Sequence, residues 1–168
     1  MENRRKFIKT TALAGAGLAV MPRLFAFNGS PNEKVIIGVM GTNSRGAYLC
    51  KTFAQLPNVE VGFVCDPDEN VLAKTLANLE KQTGKKPQGF SDIRKMLEQK
   101  ELDGLAISAP DHWHTPAAIM ALQAGKNVYV EKPCSHNPRE GELLVEATNK
   151  YSKLVIFNFT VLMRLVAF

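Results

Sequence analysis

Residues 34–46 read KVIIGVMGTNSRG and decide the fold of this chain. Residues 35–40 are an apolar, largely β-branched run, which is typical of a strand buried on both faces of a parallel sheet. A turn bounded by Gly41 and Gly46 follows, and it leads directly into an amphipathic segment that predicts a helix from Arg45 to Leu56. A strand that passes through a glycine turn into a helix predicts the first unit of an alternating β/α fold.

The same alternation continues along the chain. The predicted strands cover residues 34–40, 59–65, 88–90, 102–109, 127–131 and 153–159. The predicted helices cover residues 45–56, 67–82, 91–100 and 115–125, and a fifth begins after Asn137. Strands and helices in this order, with short connections, predict an α/β fold with a doubly wound parallel sheet of the Rossmann type. Ligands bind such sheets at the carboxyl ends of the strands.

The turn GTNSRG has the spacing of the dinucleotide fingerprint G-x-G-x-x-G, with Asn43 in place of the middle glycine. Gly41 permits the tight turn, Gly46 lets the helix pack closely against the strand, and N–H groups at the helix start can bind a pyrophosphate. Asn tolerates a positive φ better than most residues, but the side chain of Asn43 narrows the approach for a phosphate. An ordinary glycine turn without a ligand is the alternative.

Asp66 lies 20 residues beyond Gly46, at the end of the second predicted strand. A carboxylate at this place can accept hydrogen bonds from the adenosine ribose, which favours NAD over NADP because a 2′-phosphate would meet a negative charge. The alternative is a structural role, with Asp66 as the cap of the following helix, Pro67 at its first position and Glu69 completing the capping pattern. We expect Asp68 to complement the dipole of that helix from its first turn.

Two polar segments follow the fourth and fifth predicted strands, namely APDHWHTP at 109–116 and EKPCSH at 131–136. Because the carboxyl ends of parallel strands share one edge of a sheet, we expect these segments to lie together. The pairs His112-x-His114 and Cys134-x-His136 have ligand types that zinc prefers. No other residue enforces a tetrahedral ligand set, so no metal site is predicted. Without a ligand, His112 and His136 would be solvated loop residues, and Trp113 would cover a pocket floor.

At these two segments the sequence resembles the amino-terminal half of the Gfo/Idh/MocA family of NAD(P)-dependent oxidoreductases. The glycine turn, the acid after the second strand, an Ala-Pro…His segment and Glu-Lys-Pro recur in that family in this order, and the resemblance covers residues 34–155. It implies NAD as the cofactor, with NADP less favoured. It also implies that Lys132 lies beside the nicotinamide and the reacting hydroxyl of the substrate, where an ammonium stabilises charge on oxygen. A surface lysine without such a role is the alternative.

The resemblance implies two groups of cofactor-binding residues. Those that cradle the adenine half are Gly41, Asn43, Ser44, Arg45, Gly46 and Asp66. Those that line the nicotinamide half are Trp113, His114, Glu131 and Lys132.

Three functions follow as hypotheses. The first is hydride transfer between nicotinamide and a sugar-like alcohol. The second is NAD-dependent glycoside cleavage. The His-Trp-His segment and the amino terminus, which is described next, also resemble the family members that carry out this reaction. The third is a dinucleotide-binding module without catalysis.

The amino terminus reads as an export signal. Five of the 21 basic residues and one of the 16 acidic residues lie within positions 1–26 and account for most of the net charge of +5. An RRKFIK start followed by a short apolar run resembles a twin-arginine (Tat) signal, which implies the Tat export machinery as a partner and the periplasm as the destination. The run is too short to span a membrane, and an amphipathic surface helix is the alternative. The remaining residues are nearly neutral, which argues against nucleic acid as a partner.

Residues 27–33 are predicted to be a linker, residues 34–155 the NAD(P)-binding domain, and residues 156–168 an apolar tail of unclear origin. Family members continue into a second, substrate-binding domain, so we expect a truncated or frame-shifted product that binds dinucleotide weakly and turns over poorly. Oligomers are not expected without the second domain. Cys50 and Cys65 are predicted to be small core residues.

Overall fold

The structure is a computed structural model that describes residues 34–153 and 155–157. Its strands are β1 Val35–Met40, β2 Val59–Cys65, β3 Gln88–Phe90, β4 Gly104–Ile107, β5 Asn127–Val130 and β6 Val155–Phe157. They form one sheet in the order β3-β2-β1-β4-β5-β6, and every neighbouring pair is parallel. The predicted doubly wound α/β fold is confirmed, with its topological switch point between β1 and β4.

Five helices connect the strands. They are α1 Arg45–Phe53, α2 Glu69–Thr83, α3 Ile93–Leu97, α4 His114–Gln123 and α5 Pro138–Tyr151, and a 3₁₀ turn over Asp111–Trp113 precedes α4. Within the described ranges no helix combines the length and the apolar character needed to cross a membrane.

The sheet carries an apolar cluster on each face. The larger cluster joins residues such as Leu105 and Ile107 to the buried sides of α3, α4 and α5, and the smaller one joins Val39 and Val64 to Cys50 of α1 and Leu79 of α2. This is the two-sided burial that the continuous apolar strands predict.

A β-bulge in β2 changes which face of the sheet its later residues point to. Ile37 of β1 pairs with Val61, whereas the next residue, Gly38, pairs with Phe63 and leaves Gly62 as the extra residue. Val61 therefore packs in the smaller cluster and Phe63 in the larger one, although residues two apart on a regular strand share a face.

Several predicted boundaries were wrong. Helix α1 ends at Phe53 instead of Leu56, because the N–H groups of Gln55 and Leu56 bond three residues back in a tightened last turn. Helix α3 is shorter than the predicted 91–100, since the side chain of Asp92 caps it and the Gln99 N–H bonds back to Met96. Strand β4 is shorter than 102–109.

Other predictions fall on residues that the structure does not describe. The export signal over 1–26 and the linker over 27–33 lie outside the described residues, as do residues 158–168 of the tail. Residues 156 and 157, which were also assigned to the tail, form the end of β6.

Candidate functional site

The glycine turn after β1 folds back on itself so tightly that two positions exclude a side chain. Gly41 has a φ of 77°, and a Cβ there would lie 2.6 Å from the backbone nitrogen of Ala109. A Cβ on Gly46 would lie 1.7 Å from the carbonyl oxygen of Gly41. The turn therefore presents bare backbone beside the end of β4.

Helix α1 begins at this turn without a cap from its own side chains. Ser44 precedes the helix with a φ of 47° and makes no side-chain capping bond, and the first helical turn contains no acidic residue. The positive φ of the turn outside Gly41 thus falls on Ser44, one residue after Asn43. The positive end of the helix dipole has no compensating carboxylate on the helix itself, which suits an anion.

Asp66 is buried and holds the glycine turn in place. Its Oδ2 accepts hydrogen bonds from the Thr42 N–H at 2.7 Å and the Thr42 Oγ1 at 3.2 Å, and its Oδ1 accepts one from the Asp68 N–H at 3.0 Å. The alternative that Asp66 caps the next helix is wrong. Asp68 is the cap, because its Oδ1 accepts from the N–H groups of Asn70 at 2.9 Å and Val71 at 3.2 Å.

Two grooves follow the carboxyl edge of the sheet. The Asp66 groove has a volume of about 560 Å³, and its lining includes Gly41, Asn43, Asp66, Arg94, His112 and Trp113. The Lys132 groove has a volume of about 500 Å³ and is lined by Arg45, Asp111, His114, Glu131, Lys132 and Pro133. Ser108 and Ala109, which directly follow β4, line both grooves.

The grooves bring most of the predicted site residues together. Trp113 lines the Asp66 groove and Arg45 the Lys132 groove. For Trp113 the reason is the 3₁₀ turn, in which residues three apart share a face. Asp111 and His114 therefore face the Lys132 groove together, and Trp113 faces away from it. Ser44 and Gly46 line neither groove and shape the turn instead.

Arg45 lies in the Lys132 groove because a buried carboxylate attracts it. Its Nε and one terminal nitrogen lie 2.9 and 2.8 Å from Oε1 of Glu131, and the Tyr129 hydroxyl donates to the same oxygen at 3.1 Å. The hydrogen bond to Glu131 raises the pKa of Arg45, while burial is the largest cause of the raised pKa of Tyr129. The guanidinium therefore stays charged, but Glu131 offsets much of its attraction for a second anion.

His114 and Thr115 fasten the two loops of the Lys132 groove to the first turn of α4. Both ring nitrogens of the buried His114 meet backbone carbonyls, Nδ1 that of Pro133 and Nε2 that of Ala109 at 2.8 Å. The Thr115 hydroxyl donates to the carbonyl of Cys134 at 3.3 Å. The ring of His114 thus lines the groove while its polar atoms hold the backbone on both sides of it.

Lys132 itself is exposed, and within the described ranges it makes no ion pair. The peptide bond that joins it to Pro133 is cis. Its ammonium therefore lies beside the groove without a carboxylate partner from residues 34–153.

The exposed His136 at the rim pairs with Asp111. Nδ1 of His136 lies 3.2 Å from Oδ2 of Asp111, and this hydrogen bond is the main cause of the lowered pKa of Asp111. Among the residues the structure describes, no three His, Cys, Asp or Glu side chains lie close enough together to hold a metal ion. His112 and His136 are exposed.

Sequence reasoning missed three residues of the site. Thr42 and Tyr129 hold Asp66 and Glu131, and Ser108 stands between the grooves. Only the position of Ser108 at the end of a predicted strand gave a signal. The partner of Thr42 lies 24 residues away, and Tyr129 reaches Glu131, two residues further along the chain, where the sequence gives no sign of the bond.

Comparisons with known proteins bear on the family and the fold. Residues 10–159 match the model of the Gfo/Idh/MocA oxidoreductase family, which is described as an NAD-binding Rossmann fold. The chain belongs to the Gfo/Idh/MocA family. The predicted resemblance is confirmed, and the domain described above is the NAD-binding Rossmann domain of that family.

Among curated proteins, the chain is similar to members named glycosyl hydrolase family 109 proteins. It is 27% identical to one from Shewanella pealeana over 172 residues, which cover 90% of this chain and 38% of the relative. It is 30% identical to one from a Shewanella strain, ANA-3, over 125 residues, which cover 72% of this chain and 27% of the relative. The chain thus spans less than two fifths of the length of these Gfo/Idh/MocA relatives.

Solved structures share the fold. A scyllo-inositol dehydrogenase from Lactobacillus casei with bound NAD(H) and scyllo-inositol superposes with a TM-score of 0.69 at 20% identity, covering 80% of this chain and 38% of that one. GenD2 from gentamicin A biosynthesis, in complex with NAD, superposes with a TM-score of 0.66 at 22% identity, covering 77% and 35%.

Proposed function

We propose that this chain binds NAD across the two grooves and belongs to an enzyme that transfers hydride between nicotinamide and a sugar-like alcohol. The main observation in support is that the two grooves share Ser108 and Ala109, with a buried carboxylate in one groove and a lysine free of ion pairs within the described residues in the other. The adenosine ribose lies at Asp66, the diphosphate crosses at the start of α1, and the nicotinamide lies at Lys132.

The residues present fit this cofactor. A carboxylate has about four acceptor sites, and the described contacts of Asp66 use two on Oδ2 and one on Oδ1. One site on Oδ1 remains for a ribose hydroxyl. A ligand with a 2′-phosphate would bring a dianion against this buried carboxylate, so NAD is preferred over NADP.

In the Lys132 groove, the lysine ammonium is the group available to the substrate. When bound, NAD supplies the hydride acceptor or donor. Lys132 would donate a hydrogen bond to the substrate oxygen. In oxidation it would stabilise the alkoxide that forms when the hydroxyl proton is released to solvent, before hydride leaves the neighbouring carbon for NAD; in reduction it would stabilise the negative charge that develops on the carbonyl oxygen as hydride is added. Trp113, on the side of the Asp66 groove, contributes apolar surface.

The first experiment is a thermal-shift titration of the chain with NAD and with NADP. A ligand that binds only the native state adds about 2.7 kcal/mol of stability at a concentration of 100 times its Kd, so the melting temperature rises with NAD and rises less with NADP at the same concentration. No rise with NAD at millimolar concentration would refute the proposal.

The role of Lys132 is tested separately. Lys132→Ala leaves the Kd of this chain for NAD within about threefold, because the lysine faces the substrate. Alanine at the equivalent lysine of a full-length relative lowers turnover at least about 100-fold, since it loses charge stabilisation worth at least about 2.7 kcal/mol. Undiminished turnover in that relative would leave Lys132 a surface lysine.

A second candidate function is NAD-dependent glycoside cleavage, and the names of the curated relatives favour it. A complete enzyme of this kind releases nitrophenol from a nitrophenyl glycoside without net formation of NADH, whereas a dehydrogenase accumulates NADH with a sugar alcohol. Binding of NAD with neither reaction would support a dinucleotide-binding module.

The export signal is a further part of the proposal. Its support is the paired Arg4 and Arg5, followed by a short apolar run. Fusion of residues 1–33 to a reporter that folds in the cytoplasm gives periplasmic signal, and replacement of both arginines by lysine removes it. Equal export of the two fusions would contradict a Tat signal and with it the periplasmic destination.

A further inference from the structure

The Ser108 hydroxyl is buried and has no hydrogen-bond partner among the described residues. The residue follows β4 directly, and its backbone N–H donates to the Met40 carbonyl at 2.9 Å, which holds it against the end of β1. Buried polar side-chain atoms in folded proteins nearly always have a partner, so each exception asks for a reason. No other buried side-chain nitrogen or oxygen in the described ranges is left in this state.

Ser108 lies where the two grooves meet. It is one of the two residues that the Asp66 groove and the Lys132 groove have in common. A ligand long enough to reach from Asp66 to Lys132 must therefore pass over Ser108 and Ala109. Ala109 offers only backbone and a methyl group at this crossing, so the Ser108 hydroxyl is the side-chain donor there.

The glycine turn forms the opposite wall of the crossing. A Cβ on Gly46 would lie 3.6 Å from the Ser108 Cβ, and a Cβ on Gly41 would lie 2.9 Å from the Ser108 carbonyl carbon. Ser108 thus packs against the turn that leads into α1, whose start carries no side-chain cap. Backbone N–H groups at a helix start and a hydroxyl donor next to them suit an anion.

The cation at the start of α1 is already paired with a carboxylate, which favours a neutral donor for an anion at the crossing. Arg45 is the first residue of α1, and it is bound to Glu131 through two nitrogens. A negatively charged group at the crossing therefore relies on neutral donors, of which the Ser108 hydroxyl is one.

We propose that Ser108 donates a hydrogen bond to the diphosphate that bridges the two halves of the dinucleotide. The inference rests on the proposed function, because it assumes that NAD occupies both grooves. The residue is partly exposed although its oxygen is buried, so the bond forms after rotation about the Cα–Cβ bond from one staggered position to another. The unpaired hydroxyl of the free protein is the donor that the cofactor satisfies.

The test compares Ser108→Ala with the unaltered chain by calorimetry, using NAD, ADP and adenosine. A hydrogen bond to a charged group is lost in the variant, so the Kd values for NAD and ADP rise about tenfold or more, while that for adenosine, which has no phosphate, stays the same. The melting temperature of the ligand-free variant stays equal or rises, because the substitution removes a buried hydroxyl that has no partner. If the hydroxyl instead stabilised the free protein, the melting temperature of the ligand-free variant would fall.

Two further variants complete the experiment. Ser135→Ala removes the hydroxyl of a half-buried serine that lines neither groove, and its Kd values match those of the unaltered chain. Ser108→Cys keeps the size of the side chain with a weaker donor, and it gives an intermediate loss for NAD and ADP even where the alanine variant folds poorly.

The failures are distinguishable. Absence of NAD binding by the unaltered chain overturns the proposed function, and the role of Ser108 with it. Binding of NAD and ADP that is equal in the unaltered chain and Ser108→Ala overturns the role of Ser108 alone. So does an equal loss for all three ligands, since adenosine does not reach the crossing.

Discussion

Exchange of Asp66 for asparagine should change the cofactor preference of this chain more than its stability. The substitution keeps the shape of the side chain and one oxygen acceptor, but an amide nitrogen replaces one of the oxygens that now accept from Thr42 and from the Asp68 N–H. Loss of one buried hydrogen bond lowers the free energy of unfolding by about 1–3 kcal/mol. The variant should therefore remain folded at 25 °C.

The effect on binding follows from the lost charge. A hydrogen bond to a carboxylate is worth about 1 kcal/mol more than one to a neutral acceptor, so the Kd for NAD rises about fivefold. The Kd for NADP falls, because its 2′-phosphate no longer meets a buried negative charge. We expect the ratio of the Kd for NADP to that for NAD to fall at least tenfold, as measured by calorimetry at one ionic strength.

Asp68→Asn is the matched control, since it removes the same charge two residues away. Asparagine caps helices as well as aspartate does, so α2 keeps its cap and the ratio of the two Kd values stays as it is in the unaltered chain. An unchanged ratio in Asp66→Asn, or an equal change in Asp68→Asn, would refute the contact between Asp66 and the ribose. Asp66 would then serve only to hold the glycine turn.

Three other predictions concern the site and the core. Gly46→Ala puts a Cβ 1.7 Å from a backbone oxygen, so the free energy of unfolding in denaturant titrations falls by about 3 kcal/mol or more; a loss below 1 kcal/mol would show that the turn relaxes. His114→Ala frees two loops of the Lys132 groove, so the Kd for NAD rises about tenfold while that for ADP stays constant; parallel changes for both ligands would contradict a local role. Burial raises the pKa of the Cys50 and Cys65 thiols to about 12, so a thiol reagent at pH 8 modifies the half-buried Cys134 first and the other two only in denaturant; rapid reaction of all three in the native chain would contradict that burial.

The fold was predictable because its strands are continuous apolar runs bounded by turn residues. Strands β2 and β3 begin and end where the sequence predicts, and the helix after Asn137 begins there because that side chain accepts from the Glu140 N–H at 3.0 Å. Helix ends were less predictable. Whether the last residues of α1 continue or tighten depends on the contacts of the segment before Pro57, and propensity does not determine these.

In the site, the sequence indicates which loop a residue belongs to but not which side of the loop it faces. Asp66 and Asp68 are both close enough to cap α2, and the hydrogen bonds from Thr42, which lies 24 residues before Asp66, decide between them. Trp113 lines the Asp66 groove because a single 3₁₀ turn, which no local pattern indicates, sets the direction of its side chain. Arg45 turns toward Glu131, a partner 86 residues away.

In the Lys132 groove, both carboxylates have partners, whereas the lysine has none among the described residues. In the Lys132 groove, Glu131 is held by Arg45 and Tyr129, and Asp111 is held by His136. Within the described residues that line it, Lys132 is therefore the charge that no ion pair offsets. An ammonium that is free of carboxylates interacts more strongly with a developing alkoxide than a paired one does, because no competing anion has to be displaced. A carboxylate introduced beside it, by Pro133→Glu for example, should therefore weaken catalysis in a full-length relative more than it weakens NAD binding.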